Sequence, residues 1–580
     1  MRLDIKNISK FPYEVKLNNS TYFLTKEDKD YYLVSNICPH QGGEIILTDK
    51  FECKVHGWKF DACGDCINVP SKRLYKEKLE VQDNIVYLQE IESEFKTATH
   101  TDVDLDIKLH AHSCVEFIYK GISVLTDPWL EGLAFMGSWK HSPKPVIKPE
   151  QLTPDIIWIS HEHSDHFHIE TLKKFDKNTL ILFPDFPNKR IETTLKKLNF
   201  INLLPLKFGE RKTISGIEFT CYEPQSVWND SILHMNIGGF NILNLNDAGL
   251  NFRIKKYLPK IDLLMSAFSP GASGYPLCWK NLSKQEKVDY YEKAKNGMLE
   301  MLDRACKLYD ATFLLPFASH FDLHLPEHVE YRDILLKHGK NTIMDVKHFI
   351  NDFEVLDILP GGSWNALTGR TYRMYNDKSR KAIYNSKMKY SKEFDSYFPS
   401  EIEVNLVQYL ENLNKIPDIC LCEDIKVRLN ETYFTVESGQ LRISTHPLSD
   451  YDLGIDIPKN ILSNIISNDI SWDEAHIGYW CNLYRTSEKF NQHFWRLLQA
   501  PYYKKQIGKR TIGNDIINEA TNVFQIIKKY PKSESILRRY GLYCQSCPNA
   551  IKEDIKQAAD YHGLDEISSK NLLMELNNAI

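Results

Sequence analysis

The stretch Ser160-His161-Glu162-His163-Ser164-Asp165-His166 constrains this chain more than any other. It follows Asp155-Ile156-Ile157-Trp158-Ile159, an apolar run with polar flanks that reads as a short buried strand. Four potential metal ligands thus stand on the loop leaving a strand, where a rigid scaffold can fix their geometry. His161 and His163 could grip one metal, and Asp165 and His166 a second. Imidazole combined with carboxylate suits Zn²⁺ or Fe²⁺. The bland alternative is a histidine-rich surface turn, but few turns close H-x-H-x-D-H directly behind a strand.

Upstream, residues 1–95 have small all-β texture, with short β-prone runs such as Thr21–Leu24, Tyr31–Val34 and Ile85–Leu88. Two loops punctuate it, Cys38-Pro39-His40-Gln41-Gly42-Gly43 and Cys53-Lys54-Val55-His56-Gly57-Trp58. Two thiolates and two imidazoles in C-x-H and C-x-x-H spacing suit a zinc site or a Rieske [2Fe–2S] cluster. Gly42, Gly43 and Gly57 let the backbone turn tightly and approach cluster sulfurs. The run Cys-x-x-His-Gly-Trp-x-Phe-Asp resembles the Rieske domains of oxygenases and Rieske ferredoxins. That resemblance implies one iron on Cys38 and Cys53 and the other on His40 and His56. Respiratory Rieske proteins carry an extra cysteine in each loop, where this chain has Gly43 and Val55, so the resemblance is to the lower-potential type. Cys63 and Cys66 just beyond could form a second small site, though a turn with two buried thiols is the simpler reading.

From 100 to 365 strands alternate with helices. The H-x-H-x-D-H spacing resembles the metallo-β-lactamase superfamily, which implies an αββα sandwich of two mixed sheets with outer helices. Ile107–Tyr119 has strand alternation and carries His112; Val124-Leu125-Thr126-Asp127-Pro128-Trp129 ends a strand on a carboxylate. His112 and Asp127 are candidates for positions near the metal. Phe240–Asp247 reads as an apolar strand ending on a carboxylate, and Asp247 fits the superfamily's bridging ligand. Thr312–Ser319 leads to His320, which fits the last ligand, with His324 as competitor. The chain departs from the pattern at Gln225–Asp230, which lacks the expected third histidine; Asp230 or His234 could substitute. Fewer histidines and open positions suit non-haem iron better than a two-zinc hydrolase. The loop Ser269–Pro276 is glycine-rich, and its N–H groups could hold a phosphate or carboxylate. Lys284–Tyr309 reads as a long amphipathic helix.

The last third reads as an α+β domain over 366–500 and a helical C-terminal tail over 501–580. The basic, aromatic stretch from Arg370 to Tyr390 could contact a nucleotide, though a solvated connector is the simpler reading. Cys544-Gln545-Ser546-Cys547 is a lone C-x-x-C, weak as a metal or redox motif. A net charge of −5 without a long basic run points away from nucleic acid and anionic membranes. No apolar stretch of about 18 residues exists and the N-terminus lacks a signal-peptide core, so a cytoplasmic protein is expected. Thirteen cysteines in 580 residues, several in ligand spacing, suit a reducing compartment.

A Rieske domain ahead of a β-lactamase-like domain resembles the CMP-N-acetylneuraminic acid hydroxylase family. The resemblance runs through Asp127-Pro128-Trp129, the 160–166 motif, Leu243-Asn244-x-x-Asp247, Phe268-x-x-Gly271-Ala272-Ser273-Gly274, Trp472-Asp473-Glu474-x-x-Ile477-Gly478 and Phe494-Trp495. It implies a monooxygenase that converts an N-acetyl group to N-glycolyl with O₂ and two electrons. Electron relay falls to Cys38, His40, Cys53 and His56, and O₂ activation to iron, one or two, held by His161, His163, Asp165, His166, Asp247 and His320. No G-x-G-x-x-G follows a strand, so electrons are expected from a ferredoxin or cytochrome b5-like carrier with its reductase. Two other classes stay open: a metal-dependent hydrolase with a vestigial Rieske domain, and an electron-transfer protein. Within the oxygenase class a different small metabolite is the alternative substrate.

Overall fold

The computed structural model describes the chain apart from scattered single residues and short segments, chiefly 39–43, 55–57, 68–73, 88–102, 225–228, 376–387, 398–403, 487–490, 504–516 and 545–552. The expected linker at 90–99, His40, His56, Cys63 and Cys547 lie outside the described residues.

The N-terminal domain is built from three small sheets. The largest orders Tyr13–Leu17, Ser20–Glu27, Asp30–Ser35 and Lys76–Leu79, all antiparallel. Strand alternation explains how it docks. Phe23 points into the domain's own core with Val34, Phe51 and Phe60. Tyr22 and Leu24, on the opposite face, would lie exposed on an isolated domain; here they pack with Leu245, Leu250 and Phe252 of the next domain.

That next domain is a sandwich of two mixed sheets with outer helices. One sheet orders Leu203–Leu206, Leu180–Pro184, Ile156–Trp158, Ile122–Thr126, Val115–Tyr119, Leu105–Leu109, Gly362–Asn365 and Thr371–Tyr372. The other orders Arg211–Ile214, Ile217–Tyr222, Ile232–Ile237, Phe240–Asn246, Leu263–Ala267, Phe313–Phe317 and Glu354–Val355. Ile156 and Trp158 face Met265 and Phe317 between the sheets, while Ile157 and Ile159 turn out onto Leu172 and Leu195. Strands buried on both faces must be apolar throughout, as Ile156–Trp158 is. The run read as one strand, Ile107–Tyr119, is a hairpin instead. Leu105–Leu109 pairs with Val115–Tyr119, and the turn between them places His112. No glycine or proline marks this turn, so alternation alone hid it.

Lys284–Tyr309 is a single helix opened by a reciprocal Ser283–Glu286 capping box and closed by Asp310 in the left-handed region. It serves two domains. Ala294 belongs to the N-terminal core, and Lys293 and Glu300 reach Glu52 and Lys54 of that domain, both at 3.4 Å. Leu302, Cys306 and Tyr309 cover the outer face of the second sheet against Leu243 and Leu264.

The α+β unit has a five-stranded sheet ordered Gln440–Ile443, Thr432–Glu437, Ile425–Leu429, Leu453–Asp456 and Asn482–Arg485. Its edge is covered by Cys278–Lys280: Leu483 N donates to Cys278 O and Lys280 N to Leu483 O, both at 2.7 Å. The tail's helices, including Val523–Lys529, Ser533–Arg539, Ile555–Tyr561 and Glu566–Asn578, form a core of their own. Among the described residues, no helix is long and apolar enough to cross a membrane.

Candidate metal centre

Strand ends deliver the candidate ligands to one edge of the sandwich. Asp127 follows Ile122–Thr126, the 160–166 loop follows Ile156–Trp158, Asp247 follows Phe240–Asn246, and His320 lies just past Phe313–Phe317. Asp127, Asn246 and Ala318 adopt positive φ at 38°, 53° and 50°. This conformation turns the chain sharply out of the sheet; Asp and Asn tolerate it best, and for Ala it is strained.

Two groups of donors converge. His112, Asp165 and His166 form one; His161, His166 and Asp247 form the other, each with its ligand atoms within 4.8 Å of one another. His166 is common to both, so the pairing differs from the sequence expectation of Asp165 with His166 against His161 with His163. His166 Nδ1 lies 3.2 Å from Asp127 Oδ2 and 3.1 Å from Asn246 Nδ2. Its Nε2 then faces Asp165 Oδ2 at 3.4 Å and Asp247 Oδ1 at 3.6 Å. Asp127 also accepts from Ser160 N at 2.7 Å and Ser160 Oγ at 2.8 Å, so it fixes the loop and the ring together. His112 Nε2 lies 3.1 Å from Asp165 Oδ2, its ring walled by Trp129, Trp139 and Phe321.

The remaining candidates separate. His163 Nδ1 lies 3.0 Å from His161 Nε2, outside both groups. Asp230 reaches within 3.3 Å of His161 Nδ1. Its rival His234 instead meets Asn241 Oδ1 at 3.2 Å on a strand. His320 is buried near His112 but joins neither group. His324 is turned away, its Nε2 2.8 Å from Gly137 O.

The electrostatics ask for a cation. Burial alone would make His166 neutral, but Asp165 and Asp247 outweigh it and hold its pKa well above the usual histidine range. Burial, then repulsion from Asp247, pushes Asp230 well above the carboxylate range. Burial, then His166 and His163, drives His161 well below its ordinary value. Among the described residues, five buried atoms of the candidate ligands make no hydrogen bond: His112 Nδ1, Asp165 Oδ1, His166 Nε2, Asp247 Oδ1 and His320 Nε2. Buried polar atoms are rarely left so, and imidazole nitrogens facing carboxylate oxygens are the donor set of a divalent metal. The residues therefore fit one.

A cavity opens beside them. Asp165 and Asp247 line it, with Trp139 and Phe321 and with Met298 and Met301 of the bridging helix. Gly271 also lines it, and a Cβ there would stand 2.8 Å from Phe321 ring carbons. At Gly274 a Cβ would meet His476 O at 2.4 Å, so close packing against the α+β unit accounts for this glycine. In the basic stretch, Arg373 is paired with Asp357 at 2.6 Å.

Sequence reasoning passed over two residues. Asn246 stands next to Asp247, and its place at a strand end was a usable signal. Glu474 was read only as part of a motif. Its carboxylate accepts from Ser164 N at 3.1 Å and Ser164 Oγ at 2.8 Å, clamping the ligand loop from a partner 310 positions away. In the N-terminal domain, Cys38 and Cys53 are fully buried in one core.

Residues 3–80 match the Rieske [2Fe-2S] domain family, 106–267 the beta-lactamase superfamily domain, and 517–566 a domain of unknown function. The chain is 22% identical over 545 residues to a cytidine monophosphate-N-acetylneuraminic acid hydroxylase of Macaca mulatta, covering 83% of this chain and 90% of that one. It is 23% identical over 543 residues to the protein of that name from Danio rerio, covering 83% and 89%. Among solved structures, CmlA, a diiron beta-hydroxylase from Streptomyces venezuelae, matches with TM-score 0.31 and 14% identity over 48% of this chain and 55% of its own. The chain thus joins a Rieske domain to a beta-lactamase superfamily domain.

Proposed function

We propose that this protein is an O₂-dependent monooxygenase that hydroxylates the N-acetyl group of CMP-N-acetylneuraminate or a related small metabolite. One observation carries the reading: a histidine and carboxylate cluster opens on a cavity whose wall is the same helix that completes the Rieske core. The relatives' name supplies the substrate, and their similarity along most of both chains supports it.

His112, Asp165 and His166, with His161 and Asp247, would hold the metal; Asp230 and His163 flank His161 at 3.3 and 3.0 Å, and His320 lies near His112. Non-haem iron bound there would supply the O₂ chemistry that an unactivated C–H bond requires, which zinc cannot. The chain's own residues do the rest. Asp127 and Asn246 hold His166 with Nε2 toward the carboxylates. Burial, then Asp247, favours the protonated form of Asp230, which lies 3.3 Å from His161 Nδ1. Trp139 and Phe321, stacked at 3.5 Å, wall the site against water. Gly271 leaves room beside Phe321 for substrate. Electrons come from a separate carrier, a ferredoxin or cytochrome b5-like protein with its reductase.

The test supplies reduced carrier, O₂ and CMP-N-acetylneuraminate, and looks for a product heavier by one oxygen. Product from another metabolite with none from this one would overturn the substrate and keep the reaction. A second reading, a metal-dependent hydrolase with a vestigial Rieske domain, draws on the beta-lactamase superfamily match. It requires turnover without O₂ or reductant.

A further inference from the structure

Arg304 lies on the bridging helix, in the second domain's sequence, yet its guanidinium ends inside the first. Nη2 donates to Asn36 O at 3.2 Å and to Asn36 Oδ1 at 3.0 Å. Asn36 is itself buried and stands two residues before Cys38. Among the described residues, the buried Nη1 makes no hydrogen bond. A buried guanidinium donor without a partner is costly unless negative charge lies beside it. Cys38 and Cys53 are both close enough to act on this charge, as are Glu44 and Glu300. Those two carboxylates are already engaged by Lys54 Nζ, at 2.5 and 3.4 Å.

We propose that Arg304 is a positioning and tuning residue for the Rieske cluster, supplied across the domain boundary: it fixes the loop ahead of Cys38 and raises the cluster's reduction potential. The charge count gives the sign. Two ferric ions, two sulfides, two thiolates and two neutral imidazoles sum to zero, and one electron from the donor protein leaves a net negative charge. A buried cation beside the thiolates favours the reduced form, and low local polarity strengthens the effect. The bridging helix thereby couples the reducing power of one domain to its seating on the other. This rests on the Rieske reading of residues 3–80 and needs neither substrate nor the second metal.

The experiment is an EPR-monitored redox titration of the full-length protein, without substrate or O₂, comparing wild type with Arg304→Gln, Arg304→Met and Arg304→Lys. Gln and Met should each shift the reduction equilibrium at least tenfold toward the oxidised cluster, about 59 mV for one electron. Lys keeps the charge and should stay within threefold of wild type. An unchanged potential in Gln or Met overturns the proposal. So does an equal drop in Lys and Gln, which would mean that loop geometry alone matters. Should the neutral variants lose the cluster, Glu300→Gln decides: removing that counter-charge should raise the potential, and no shift overturns the tuning role. A wild-type protein without a Rieske signal would instead remove the cluster reading, and absent oxygenation with a normal titration would remove only the proposed reaction.

Discussion

Ala294 and Met298 stand one turn apart on one helix and serve the interiors of two domains. Ala294 packs with Cys38, Phe51 and Cys53, and Met298 lines the cavity beside His112 and Asp165. A helix rises about 1.5 Å per residue, so roughly 6 Å of backbone separates the two contacts. The ligand sets do not interleave in sequence, but their supports share this helix.

Ala294→Leu should therefore act on the N-terminal core first. Adding three carbons to a filled site costs about 1–3 kcal/mol. Urea unfolding followed by the cluster's visible absorbance should show that loss, while metal bound at the second site stays near wild type. Equal loss of both metals would mean that the two domains unfold as one unit.

Asp127→Asn tests the orientation of His166. The amide can still meet Ser160, but it loses the charge that fixes Nδ1. Outer partners of this kind are worth about 10–100-fold in metal affinity. Competition with a chelator should show that loss, and His112→Ala and His163→Ala should also lower second-site metal. The Rieske EPR signal should persist in all three. His324→Ala, whose ring faces Gly137 O, should leave the metal in place.

The sequence made some of this legible and hid the rest for physical reasons. The 160–166 ligands sit within one loop behind one strand, so local pattern was enough. Asp127 and Asp247 were visible because each terminates an apolar run. His112 was harder: His110 lies two residues away and meets Glu116 Oε2 at 3.0 Å instead. Only the unmarked hairpin turn decides which of the two reaches Asp165. Asp230 over His234 was likewise undecidable, since a strand register chooses between them. Arg304 left no signal and Glu474 only its place in a family motif, because each meets its partner through tertiary packing across hundreds of residues.

The stability of the fold should fall in mild acid, and His234 offers a clean probe. It is buried, remote from both donor groups, and burial lowers its pKa to about 4 despite the bond to Asn241. Unfolded, a histidine takes its proton near pH 6.5, so between pH 6.5 and 4 the unfolded chain binds the proton that the folded one refuses. Stability present above pH 6.5 is thus lost as the pH falls toward 4, by about 1–3 kcal/mol at the low end. His234→Gln should flatten the denaturation midpoint over that window. An unchanged pH profile would show that the ring is hydrated in the native state.

Glu474 links the α+β unit to the ligand loop, and two substitutions separate its roles. Burial raises its pKa to about 7, so near neutrality the carboxyl is partly protonated. It meets the amide and hydroxyl of Ser164, the residue between His163 and Asp165. Glu474→Ala leaves that amide without its acceptor, a cost of about 1–3 kcal/mol. It also frees the loop to move, so second-site metal affinity should fall with stability. Glu474→Gln keeps an acceptor and should hold metal nearly as well. Because a raised carboxyl pKa favours the folded state only below that value, Gln should also remove a loss of stability that wild type shows as pH rises from about 4.5 to 7. Paired chelator competition and urea titrations at pH 5 and 7 check both parts. Unchanged metal affinity in Glu474→Ala would mean that the loop is rigid without the α+β unit, and that residues 160–166 with their strand-end neighbours suffice to build the centre.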